Sequence, residues 1–108
     1  GWQLDLEKLF AACTEKTKVL LIVTPSNPTG WSATQSEMKA ILEFARKRGI
    51  WVLADEVYSR IVYESEHEHL RADSFLDVSQ DDDLLLVVNS FSKYFWEYFY
   101  RFVKIFVF

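Results

Sequence analysis

The run Val19-Leu20-Leu21-Ile22-Val23 constrains this chain more than any other feature. Five apolar residues, three of them β-branched, follow Lys18 without interruption and stop at Thr24-Pro25. A run of this kind predicts a strand covered on both faces, as in a parallel sheet. Two more runs share its character. One, over 50–54, ends directly in Asp55-Glu56; the other, over 84–88, follows the acidic turn Asp81-Asp82-Asp83 and ends at Asn89-Ser90. Between the first two runs, Met38, Ile41, Leu42 and Ala45 recur at helical spacing after a Ser/Thr-rich start, with Lys47-Arg48 just before Gly49. This pattern predicts a helix over 34–48. Upstream, Leu6, Leu9, Phe10 and Cys13, with Asp5 and Glu7 early, predict a short amphipathic helix over 4–12. Strand, helix, strand, irregular crossover, strand is the order of an α/β chain: a mainly parallel sheet with flanking helices.

Composition agrees with a packed segment and excludes several classes. Half of the 108 residues are hydrophobic and only 3 are Gly and 2 Pro, which rules out a linker or collagen-like chain. With 12 Lys and Arg against 16 Asp and Glu the net charge is -4, so no footprint for a nucleic-acid backbone is present. The lone Cys13 can form no internal disulfide, and no charged-then-apolar leader opens the chain; the expectation is a cytoplasmic, reducing setting.

Open parallel sheets gather ligands at the carboxyl ends of their strands. Polar residues follow all three runs: Ser26-Asn27-Pro28-Thr29-Gly30, Ala54-Asp55-Glu56-Val57-Tyr58 and Asn89-Ser90-Phe91-Ser92-Lys93. In this order and over about residues 2 to 93, the chain resembles the class I/II aminotransferases, pyridoxal-phosphate enzymes of fold type I. The resemblance implies a central part of the family's large domain over 1–93, amino-acid and 2-oxo-acid substrates, and a homodimeric parent protein. A piece of this size is expected to be inactive alone.

The resemblance also implies roles. Lys93 would hold pyridoxal 5'-phosphate as a Schiff base, then carry a proton between the substrate's α carbon and the cofactor. Asp55 would pair with the pyridine nitrogen and keep it protonated, as an electron sink requires. Asn27 and Tyr58 would hydrogen-bond the ring's phenolic oxygen and stabilise its anionic form. Ser90, Ser92 and Arg101 would hold the phosphate, a dianion that is costly to bury without donors and positive charge. Decarboxylation, racemisation and carbon-sulfur cleavage start from the same adduct, and residues elsewhere choose among them.

The family pattern breaks after Lys93. Nine of the fifteen residues over 94–108 are aromatic, and Val103 stands where the family carries a glycine after its arginine. Such bulk is hard to fit into a loop whose backbone must approach a phosphate. Three readings of 94–108 compete: a helix with Lys93, Glu97, Arg101 and Lys104 on one face, a β-strand over 102–108, or an altered sequence. The alternative to an enzyme is a non-catalytic segment that binds a partner or membrane surface through this tail. Glu66-His67-Glu68-His69 reads as a solvated charged loop, not a metal site, within a polar, exposed stretch over 64–73. Trp2, Trp31 and Trp51 read as core or interface aromatics, and Cys13 as a packed thiol.

Overall fold

Val19–Val23 forms β1, Trp51–Asp55 forms β2 and Leu85–Ser90 forms β3, three parallel strands in sequence order. The computed structural model describes residues 1–62 and 71–90 and, beyond them, the backbone of Val103–Val107. That last segment is β4, which runs antiparallel to β3 at the sheet's far edge. Residues 91–102, which include Ser92, Lys93, Arg101 and most of the aromatic tail, lie outside the described residues, as does Glu66-His67-Glu68-His69.

Two helices lie on one face of the sheet. Leu6–Ala12 forms α1, capped by Asp5, whose carboxylate accepts from the Lys8 amide at 3.0 Å. Gln35–Arg48 forms α2. Thr34 caps it and Glu37 returns the bond to the Thr34 amide, satisfying donors that a helix start leaves unpaired. Gly49, at φ 64°, ends α2 in the left-handed conformation, and its amide closes on the carbonyls of Ala45 and Arg46. Phe10 stacks on Phe44 with ring centroids 4.2 Å apart, seating α1 on α2.

The core lies between α2 and the sheet. Met38, Ile41, Leu42 and Ala45 meet Leu20, Ile22, Val52, Ala54, Leu85 and Val87, the alternate residues of the three strands. Phe75, fully buried, sits in a single 3-10 turn over Phe75–Asp77 that packs against α2 and was not anticipated in the crossover.

The opposite face differs from the sequence expectation. Leu21 is 60% and Val19 51% exposed, so among the described residues β1 is covered on one face only. An uninterrupted apolar run is what a two-sided strand requires, but here the second layer is not supplied by the described residues. Trp2, 73% exposed, also departs from a core role, whereas Trp31 packs against the core edge. Arg71, Ala72 and Asp73, read as part of an exposed stretch, are half-buried. Among the described residues no helix is long and apolar enough to cross a membrane, and no group of His, Cys, Asp and Glu could hold a metal ion.

Candidate active site

The pleat decides which side chains share the sheet's carboxyl edge. Val23, Asp55 and Val88 stand side by side in register, two residues beyond Leu21, Leu53 and Leu86 on the open face. Asp55 is therefore the last residue of β2, not the first after it, and its half-buried carboxylate is flanked by two valines. Its Oδ1 accepts from the Val57 amide at 3.2 Å. Ser90 ends β3 two residues beyond Val88 on this same face, half-buried, its amide bonded to its neighbour's Asn89 Oδ1 at 2.8 Å.

Asn27 reaches the edge on a loop that the chain ties down at its base. The buried Thr24 donates its amide to the Asp55 carbonyl at 3.0 Å, and its hydroxyl accepts from the Ala33 amide at 2.8 Å. Within the loop the Ser26 amide bonds the Trp31 carbonyl and the Gly30 amide the Ser26 carbonyl, each at 2.8 Å. Gly30 adopts φ 71°, a conformation that favours glycine at such a closure. The exposed Asn27 then donates from Nδ2 to Tyr58 Oη at 2.9 Å, joining the loop after β1 to the turn after β2. Beside this pair opens a cavity of about 490 Å³, with Pro25, Ser26, Ile61 and Val62 in its wall.

Glu56, the next residue after Asp55, goes to the other side of the sheet. It is 3% exposed and accepts from Ser74 Oγ at 2.7 Å and from the Phe75 amide at 2.9 Å. Burial pushes its carboxyl above the ordinary carboxylate range and Asp77 adds to the rise; the two hydrogen bonds and the Arg71 guanidinium offset part of it. Asn89 Nδ2 donates to Ser59 Oγ at 3.4 Å on this side. Sequence reasoning gave Glu56, Ser59 and Asn89 no role. The available signal was strand parity, which separates Asp55 from Glu56 once the end of β2 is known.

Of the predicted site residues the structure brings Asn27 and Tyr58 into contact and sets Asp55 and Ser90 on one face of the same edge. Lys93, Ser92 and Arg101 fall outside the described residues. A mainly parallel sheet with flanking helices, whose carboxyl edge gathers an amide, a phenol and a carboxylate, defines an α/β fold with polar groups at the edge where such sheets gather ligands. The chain belongs to the class I and II aminotransferases, whose family model matches residues 1–97. It is 41% identical over 93 residues to an aspartate aminotransferase of Streptomyces avermitilis, covering 86% of this chain and 22% of that protein. An alanine aminotransferase of Mycobacterium tuberculosis is 36% identical over 93 residues, 86% of this chain and 20% of that protein. The crystal structure of an aspartate aminotransferase from Thermotoga maritima superposes with a TM-score of 0.85 at 31% identity, over 97% of this chain and 27% of that one. The chain thus spans about a quarter or less of the proteins it matches.

Proposed function

We propose that this chain forms part of the cofactor cradle of a pyridoxal-phosphate-dependent aminotransferase that moves an amino group between an amino acid and a 2-oxo acid. The observation that carries the reading is the 2.9 Å bond between Asn27 and Tyr58, two donors 31 residues apart meeting at the edge where Asp55 ends its strand. The donor set fits the group. An amide and a phenol suit an anionic ring oxygen, and a carboxylate between valines suits a protonated ring nitrogen.

When bound, the cofactor supplies an electron sink for bond breaking at the substrate's α carbon. Asp55 accepts a hydrogen bond from the ring nitrogen and keeps its proton in place. Asn27 Nδ2 and Tyr58 Oη would hold the ring oxygen, each by donating a hydrogen bond to it. Ser90, with Ser92 and Arg101, holds the phosphate. Lys93 is the covalent anchor, and its Nζ moves the proton at the substrate's α carbon. A homodimer and a reducing, cytoplasmic setting accompany this reading, the latter from the lone half-buried thiol of Cys13. The non-catalytic alternative draws on the aromatic tail, but Val103–Val107 is already engaged as β4 against β3.

The test is an absorbance spectrum with added pyridoxal phosphate, followed by borohydride reduction and peptide mapping. A visible band and a single adduct on Lys93, both lost in Lys93→Ala, are expected. Labelling spread over several lysines would overturn the assignment.

A further inference from the structure

Tyr58 sits in the turn after β2, shaped by bonds within it and tied to its neighbours by others. Its internal bonds, Ser59 amide to Glu56 carbonyl at 3.0 Å and Ile61 amide to Tyr58 carbonyl at 2.9 Å, shape the turn but do not locate it against the sheet. Location comes from ties to neighbours. The Glu56 amide continues the ladder to the Val88 carbonyl at 2.9 Å, and the Ala72 amide bonds the Ser59 carbonyl at 2.7 Å. The Glu56 carboxylate grips the turn over Phe75–Asp77 through Ser74 and the Phe75 amide. That second turn is itself braced: Ser74 donates its amide to Asp77 at 2.8 Å, and Arg71 binds both Asp77 oxygens at 2.7 and 2.8 Å. Phe75, fully buried against α2, anchors the whole. A cavity of about 280 Å³ beside the grip is lined by charged groups, Arg60, Arg71, Asp77 and Glu56 among them.

We propose that Glu56 is a positioning residue: by clamping the turn after β2 to the turn over Phe75–Asp77, it sets where Asp55 and Tyr58 stand at the sheet edge. The proposal deepens the aminotransferase reading and rests on it for its consequence. Rigidity passes from α2 through Phe75 and Glu56 to Tyr58 and Asn27. A shift of the turn by about 1 Å would take the Asn27–Tyr58 bond out of hydrogen-bond range.

Two measurements on the purified protein test it, one without cofactor. In Glu56→Ala and Tyr58→Phe, the Asn27 side-chain amide resonance is expected to move toward its free-amide position, and in Glu56→Gln, whose Oε1 still accepts from the Phe75 amide while its Nε2 donates to Ser74 Oγ in a reversed bond, to stay. With pyridoxal phosphate bound, the pH midpoint of the visible band is expected to rise by about 1 unit in Tyr58→Phe, since donors to an oxyanion hold that midpoint down. Glu56→Ala should raise it in the same direction and Glu56→Gln should restore it. If Glu56→Ala fails to fold, Ser74→Ala serves in both measurements, with a smaller shift of the same sign. An unmoved Asn27 resonance in a folded clamp variant, alongside a moved one in Tyr58→Phe, overturns the positioning role. No specific band in the unsubstituted chain overturns the cofactor-cradle reading of this chain instead, and the resonance then decides the clamp alone.

Discussion

Single residues at the ends of α2 show how local chemistry sets boundaries. Gly49 was legible in the sequence as the stop of α2, a position at φ 64°, whereas Thr34, read as the helix's first residue, proves to be its cap, its hydroxyl oxygen accepting from the Glu37 amide. Thr34→Ala and Gly49→Ala are each expected to lower stability by about 1 kcal/mol in urea unfolding, with the slope unchanged. Asp55 was legible too, through its place after an apolar run. On the proposed function, Asp55→Asn introduced into the full-length parent enzyme keeps the fold and lowers kcat about 100-fold or more, because an amide cannot hold the ring nitrogen's charge. Glu56 was opaque. Its partners lie 18 and 19 residues away at Ser74 and Phe75, a separation that leaves no period to read.

At the scale of elements, α2 and the three apolar strands could be read because each carries its own signal, periodicity for the helix and unbroken β-branched runs for the strands. The turn over Phe75–Asp77 is three residues long and has neither. Ion pairs between elements were equally hidden. Arg46 on α2 reaches Asp83, almost wholly buried before β3, at 2.9 Å, and Asp82 at 3.2 Å. Arg46→Ala leaves the Asp83 carboxylate with the Gln80 amide at 2.7 Å, and is expected to cost about 3 kcal/mol in denaturant unfolding. Glu56 links its two turns to pH. Its folded value lies above the ordinary 4.5, so the folded chain binds the proton more tightly than the unfolded one. Its contribution to stability is full below that ordinary value and is lost as pH rises through the raised one. Thermal melts across this window should show the fall in the parent chain and its absence in Glu56→Gln.

For the whole molecule, a mainly parallel sheet came from the alternation of element types, and the carboxyl edge followed from it as the place for a site, whereas the order β1-β2-β3-β4 is a finding of the structure. The open face did not follow. The run at Val19–Val23 asks for two covering layers, and the described residues supply one, leaving Val19 and Leu21 exposed. In this chain Leu21→Lys is expected to reduce concentration-dependent light scattering and to change stability by only about 0.5 kcal/mol, since little packing is lost.

The acid that closes β2 and the acid that follows it are one step apart along the chain and face opposite sides of the sheet. Which of them meets the ligand edge depends on odd or even count alone. Loss or gain of one codon within Trp51–Asp55 would exchange them, sending the clamp to the ligand and the ligand's carboxylate into the core. The length of Trp51–Asp55 thus assigns both acids their places at once.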